Sequence, residues 1–354
     1  MLLINALTSY HNLLGGDKYL PIIKYQSETL SSELDKSPLG LLDDYPDQCF
    51  PSDIIAAIAA INRADTLLGT DHSDFIKRSF RACQGNLLDS TGLPPYMADS
   101  DTGRIGIARG SSSQWATIWA SEIWPDKAYA WYNKLEKHFW QHRYMTVGFR
   151  EFAKENPGGQ WYVDVDSGPV VAGFGVAAGT FGLGAARANG RFDHAYPLSA
   201  EVIAISWPLP DGSLLGANLL SNATHAPFIA EAAVLFNLTR TPSDTAQIHN
   251  HGALPGCVFV ILSLYLGLGL LLTLITIRNL RRLRGSNSIN PPPLPKTQIA
   301  IWHILVLSAI ALLVIDHLLP AVALLTVAQF LPRGDKTATV PTRKNNQLTS
   351  NLAK

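Results

Sequence analysis

The run Leu254–Ile277, LPGCVFVILSLYLGLGLLLTLITI, continues for 24 residues without a charged side chain. About 20 apolar residues cover the hydrocarbon core of a bilayer, so this run is long enough to span one and the chain is expected to be tied to a membrane. Ile299–Leu331 is a second apolar run, broken by His303, Asp316, His317 and Pro320. It exceeds a single span, so a tilted or kinked helix, or a span followed by an interfacial turn, is expected there. The alternative, buried core helices, requires helices apolar on every face over this length, which core helices seldom are.

The formal net charge of zero hides an asymmetry. Residues 1–250 carry 18 Lys and Arg against 26 Asp and Glu, a net −8, while residues 251–354 carry 10 against 2, a net +8. That distribution argues against nucleic-acid binding. It describes an acidic soluble domain (1–250), a basic apolar anchor (251–332) and a polar tail (333–354) expected to be disordered. Loop 278–298 holds Arg278, Arg281, Arg282, Arg284 and Lys296. The excess of Arg and Lys places it in the cytoplasm and residues 1–250 outside. Contact of these arginines with anionic headgroups of the lipid bilayer predicts the same orientation. Export of so large a domain needs a signal, and MLLINALTSYHNLLGG has neither a basic start nor a long apolar core. Either a further span upstream of residue 1 is expected, which is the favoured expectation, or the orientation is the reverse. Cys257 lies in the first apolar run, which leaves Cys49 and Cys83 as a disulfide or as two free thiols. No CxxC or Cys/His ligand spacing occurs, so neither a metal nor a cofactor is expected.

Helical spacing of apolar residues marks 51–68 and 72–87, 111–124 and 126–140, and 169–187 and 198–207, with another helix over 226–238. In most pairs the first helix is apolar and the second amphipathic, the pattern of a buried helix and its water-facing cover. The fold class expected is mainly α: an incomplete (α/α)6-toroid-like helical-hairpin domain followed by two transmembrane helices. Residues 1–40 add one incomplete hairpin. Short β segments are expected only in the connections LPPYMADSDTGRIGIA, GGQWYVDVDSG and SWPLPDGSLLG.

Polar clusters stand at the entries of the apolar helices. In WYVDVDSGPVVAGFG, Asp164 and Asp166 fall on one side of an extended segment, and Pro169 takes the favoured first turn of a helix. Either Asp166 or Ser167 caps that helix, or one acid caps it while the other faces a cavity as a general acid or base, each carboxylate raising the other's proton affinity. Gly175, Gly179 and the glycines after them fit a closely packed inner helix better than a third span. DYPDQCFPSD brings Tyr45, Cys49 and Asp53 to a helix start. Tyr45 is an acid–base candidate, Cys49 a nucleophile or acid if a neighbour lowers its pKa, and Asp53 a substrate contact or a cap. In MADSDTGRIGIARGSSSQW, Asp101 is a candidate acid or base, and Arg109, Gln114 and Trp115 are candidate substrate contacts. Arg–Asp pairing within the turn is the structural alternative. RFDHAYPLSAE sets His194 between Asp193 and Tyr196, as a proton relay or an ordinary turn. His225 and Glu231 flank another inner-helix start, and Trp161 is a candidate cavity wall. Helix N-termini converging on one end of a cavity favour developing negative charge, which is the main reason to expect an enzyme.

With YPDQCFPSD and DVDSGPVVAGFG each ahead of a helix, and APFIAEAA at the start of another, the chain resembles membrane-associated α/α-toroid proteins over roughly residues 40–240. It is distantly similar to the linalool dehydratase/isomerase-type group. The resemblance implies acid–base chemistry on an allylic alcohol without an organic cofactor, in a cluster of cysteine, tyrosine, aspartate and histidine. Tyr45, Cys49 and Asp53 supply matching residue types. Toroids also host glycoside hydrolases and lyases, so a glycan and a small lipophilic alcohol both stand as substrates. The competing expectation is a non-catalytic binding or scaffold module of an envelope complex, in which His303, Asp316 and His317 pair with partners or line a polar path. Self-association as a homo-oligomer fits either expectation.

Overall fold

The computed structural model describes residues 1–85, 88–103, 106–156, 158–164, 167–207, 213–223, 225–285, 296–314 and 318–331. The fold is mainly helical. In chain order the elements are α1 (Leu2–Leu14), α2 (Leu20–Lys36), α3 (Pro51–Leu68), α4 (Ile76–Gln84), α5 (Gly110–Ile123) and α6 (Pro125–Phe139), followed by β1 (Trp140–Arg143), β2 (Thr146–Phe149), β3 (Trp161–Asp164), β4 (Gly168–Val171) and β5 (Phe174–Gly175). Then come α7 (Val176–Ala188), α8 (Phe192–Ile205), α9 (Leu215–Ala223), α10 (Ile229–Leu238), α11 (Gly256–Gly285), α12 (Lys296–Val314) and α13 (Leu318–Phe330). Contacts divide the chain into two units, Met1–Leu262 and Ser263–Lys354.

In the first unit, α3, α5, α7 and α10 pack side by side in that order. They run parallel. Near the α3 and α5 starts Trp115 Nε1 donates to Asp53 (3.0 Å), and near their ends Arg63 pairs with Glu122 (2.7 Å). In the last turn of α7, Arg187 Nε donates to the carbonyl of Arg240, just past the end of α10 (2.8 Å). The return helices α4, α6 and α8 each pack against the helix that precedes them. Local sequence explains the boundaries: Pro51 and Pro125 open α3 and α6 where a missing N–H costs nothing, and Gly69 closes α3 in a left-handed turn (φ 68°). Small residues let the helices approach. A Cβ on Gly110 would stand 2.0 Å from the Arg150 carbonyl, so the start of α5 admits only glycine. One apolar cluster runs through these layers, with Ile55, Ile58, Trp119, Tyr132, Phe139 and Phe149 at its centre.

The segment expected as a helix from Pro169 begins differently. β3 and β4 form an antiparallel hairpin in which Val163 pairs with Pro169 and Asp164 with Gly168, and α7 starts only at Val176. The β-branched run of valines favours extended backbone, Gly168 supplies the positive φ of 67° after the turn, and Pro169 accepts a strand position that asks no N–H of it. Residues 161–164 and 168–171 are therefore paired strands, and the helix does not begin at Pro169. α7, at 13 residues, packs inside the core and is not a third span. The antiparallel pair β1–β2 was not marked by the sequence pattern, nor was α9. The hairpin expected around Asp101 is present as backbone pairing of Tyr96 with Ile107 (2.9 Å) and Gly106 with Met97 (3.0 Å).

Among the described residues, Gly256–Arg278 in α11 is the one helix long and apolar enough to cross a membrane. α11 continues as helix to Gly285, so Arg278, Arg281, Arg282 and Arg284 lie on its last turns and not in an open loop. The second apolar run forms two shorter helices, α12 and α13, which pack on each other. Asp316, His317 and the tail from residue 332 lie outside the described residues.

Candidate active site

The N-terminal ends of the parallel helices gather the densest buried polar group of the first unit. Arg109 caps α5 in extended conformation (φ −121°, ψ 148°), and Glu151 follows β2, its backbone carbonyl accepting from Gly110 N (2.7 Å). Arg109 Nε donates to Glu151 Oε1 (2.8 Å) and its Nη2 to Ser167 Oγ (2.7 Å), just past the β3–β4 turn. Ser111 Oγ donates to Glu151 Oε1 (2.7 Å) and Ser111 N to Oε2 (3.3 Å). The guanidinium lies against the rings of Tyr96 (4.4 Å), Phe152 (5.3 Å) and Tyr162 (5.6 Å). Glu151 is fully buried. Burial pushes its carboxyl above the usual range, against the pull of Arg109 and Ser111. Such a group keeps its proton to higher pH than an ordinary glutamate, the property required of a general acid.

Several sequence candidates meet here. From Arg109 an aromatic file leads outward through Tyr96 and Phe50 (ring centroids 5.2 Å apart) to exposed Tyr45 (6.2 Å from Phe50). Asp53 holds Trp115, whose ring packs on Phe181 (5.0 Å) and Phe236 (5.7 Å), joining α5 to α7 and α10. Gln114 is fully buried, and neither its amide oxygen nor its nitrogen has a hydrogen-bond partner among the described residues. Cys49 lies beneath this end, bridged to Ala98. It is a free buried thiol, as is Cys83, so the disulfide alternative is absent. Burial pushes the Cys49 thiol far above its usual value and that of Cys83 up to about 12, the opposite of an activated nucleophile.

Others stand apart. Asp101 is exposed on a turn organised by Asp99, which accepts from Asp101 N (3.0 Å) and Thr102 N (2.7 Å). Trp161 is 72% exposed on β3 and is not a cavity wall within this unit. Glu231 accepts from Ser221 Oγ (2.6 Å), closing the α9–α10 connection, and His225 is exposed there in a left-handed conformation (φ 53°). Asp164 takes its backbone place in β3; Asp166 lies outside the described residues, so neither acid's side chain is placed.

His194 belongs to a second cluster, between α6, α8 and β1. Its Nδ1 shares a hydrogen bond with Tyr132 Oη (2.9 Å), and Trp140 stacks on its ring at 4.1 Å. The phenol is Tyr132 and not the expected Tyr196, which is half exposed. Adjacent positions 193–194 fix Asp193 near the ring, but the partner residue from α6 is invisible at that sequence separation. Arg191 binds Glu136 (2.6 and 2.9 Å) and Asp193 (3.0 and 2.8 Å) with both faces of its fork. Burial, then the Arg191 charge, lowers the His194 pKa to about 4, so the ring is neutral at pH 7. The cluster is enclosed by Trp140, Phe149 and Tyr132.

Glu151, Tyr96 and Phe152 were not singled out from sequence, and Ser167 only as a helix cap. A lone acid in FREF signals nothing until β2 delivers it to the α5 N-terminus. Among the described residues no three His, Cys, Asp or Glu side chains converge as metal ligands would. No family model matches the chain, and no curated protein matches it.

Proposed function

We propose that the chain is a membrane-anchored enzyme using general acid–base catalysis at the Arg109–Glu151 end of its parallel helices. The observation that carries this is the buried Glu151 carboxyl, held above its usual pKa while bonded by Arg109, which also donates to Ser167, and by Ser111. Four parallel helices, three with a return helix of their own, are part of an (α/α)6 toroid in this reading. The distant similarity to the linalool dehydratase/isomerase-type group then suggests the reaction type. Protonated Glu151 gives its proton to a hydroxyl that departs as water, and Asp164 or Asp166 takes a proton from the neighbouring carbon. The substrate is a small lipophilic alcohol, favoured over a glycan by the aromatic surroundings of Arg109. No cofactor is required for that step.

α11 and α12 serve as the two crossings in this reading; 19 residues of α12 reach about 28 Å at ~1.5 Å per residue. Residues 1–250 are then extracytoplasmic and the arginine-bearing end of α11 cytoplasmic. Turnover of a panel of allylic alcohols and glycosides by the full chain in proteoliposomes, read by chromatography, tests the assignment. Glu151→Gln is expected to abolish turnover and Asp166→Asn to reduce it strongly; full activity in Glu151→Gln sinks the proposal. A second reading, a non-catalytic scaffold module, is favoured by one feature: Arg109 and Ser111 already occupy the Glu151 oxygens, as in a structural ion pair.

A further inference from the structure

The first turns of α11 are fastened to the helical unit at defined heights, and those heights say which surface meets the bilayer. The connecting strand of chain before α11 runs alongside α8 in the same direction. Asp193 N donates to the His249 carbonyl (3.0 Å), and Cys257 Sγ to Glu201 Oε1 (3.2 Å). Gly252 lies between these points, against the Asp193 carbonyl and Pro197. Eight residues of α8 thus advance about 12 Å while the connection advances from His249 to Cys257. The tip of the β1–β2 hairpin reaches the same level: Cys257 N donates to the Met145 carbonyl (2.9 Å), and Val147 N donates to Glu201 (3.0 Å).

What lies at and beyond that level is apolar and exposed. Tyr144 is 93% exposed at the hairpin tip beside exposed Met145. Past Glu201, Ile203 and Ile205 at the end of α8 and Trp207 just after it are all exposed, as are Phe259 and Val260 in the first turn of α11. An exposed isoleucine pair with a Tyr and a Trp, continuous with the first turn of a span, has the composition of a membrane–water interface, where amphipathic rings sit among headgroups. We infer that the hairpin tip and the end of α8, through Tyr144, Met145, Ile203, Ile205 and Trp207, are seated in the interfacial layer of a lipid bilayer. The inference rests on α11 crossing that bilayer.

The orientation has a consequence for the site. α8 returns antiparallel along α7 after a three-residue turn, so its C-terminal end lies by the N-terminus of α7. That is the end bearing Arg109 and Glu151. The acid–base pair therefore faces the bilayer side of the unit, where a substrate dissolved in lipid is concentrated, and the opposite end with Asp244 faces bulk water.

Single cysteines labelled with an environment-sensitive fluorophore test this in the full chain, in a Cys257→Ser background, reconstituted into phosphatidylcholine–phosphatidylglycerol vesicles. Labels at Tyr144→Cys and Ile205→Cys are expected to emit at shorter wavelength and to be quenched by headgroup-nitroxide lipid. A label at Asp244→Cys is expected to behave as in water, and one at Leu264→Cys to be quenched by deep acyl-chain nitroxide. If 264 is quenched while 144 and 205 behave like 244, the seating is overturned and the span survives. If 264 is not quenched by deep nitroxide, the span and the seating fail together.

Discussion

Acidification should weaken this protein through His194. The ring is 7% exposed, stacked on Trp140 and bonded to Tyr132. Its folded pKa is lowered from 6.5 to about 4. Between those values the unfolded chain binds the proton and the folded chain does not, so stability rises with pH across the window. The contribution is fully present above pH 6.5 and is lost as pH falls toward 4. At ~1.4 kcal/mol per pKa unit, the shift corresponds to roughly 3 kcal/mol in full, of which roughly 2 kcal/mol is lost between pH 7 and pH 5. Neighbouring carboxylates do not supply this loss at pH 5: hydrogen bonds from Arg191 hold Glu136 low, and hold Asp193 low against its burial. The assay is denaturant unfolding of the full chain in mild detergent, followed by tryptophan fluorescence at pH 7 and pH 5. Wild type should lose about 2 kcal/mol more than His194→Asn, whose amide oxygen still accepts from Tyr132 but cannot be protonated in this range. An equal loss in both proteins would refute the assignment of the pH sensitivity to this ring.

Two further outcomes follow from packing. Glu151→Leu or Arg109→Met alone should destabilise the fold by about 3–5 kcal/mol, because each leaves a buried polar partner uncompensated; the double variant Arg109→Met/Glu151→Leu should recover most of that. A thermal-unfolding cycle showing additive losses would contradict the pairing. In α7, Gly179→Ala should stabilise by about 0.5–1 kcal/mol, since nothing lies within 4 Å of the new methyl. Gly184→Ala, whose methyl would meet Asn237 Oδ1 at 2.0 Å and Ile118 Cδ1 at 2.9 Å, should instead cost about 1–3 kcal/mol. Equal melting temperatures for the two variants would show that α7 and α10 do not approach as described.

Much of the helical framework was legible because each signal is local. Pro51 and Pro125 mark the openings of α3 and α6, Gly69 marks an end, and the apolar spacing between them needs no partner to be recognised. The uncharged stretch of α11 announces itself by length alone. The extended segment expected in GGQWYVDVDSG is present as β3, but 169–175 was misread as helix because valines, a glycine and a proline suit both a capped helix and a hairpin; β4 pairing with β3 and β5 decided it. The candidate site was legible only as a neighbourhood: Tyr45, Asp53, Arg109, Gln114 and Trp115 all lie at one end of the parallel helices. Its central acid was not, since Glu151 is 42 residues from Arg109 and lies in no motif.

The sequence by itself therefore determined most of the helical elements, the apolar helix of membrane length and the acidic-to-basic division of the chain, because periodicity, length and charge are sums over neighbouring residues. Tertiary structure decided which acid is buried, which phenol meets His194, and which end of the helices lies beside the root of α11. Those are contacts between residues far apart in the chain, and burial, the cause of each pKa shift here, exists only once the layers have closed around them.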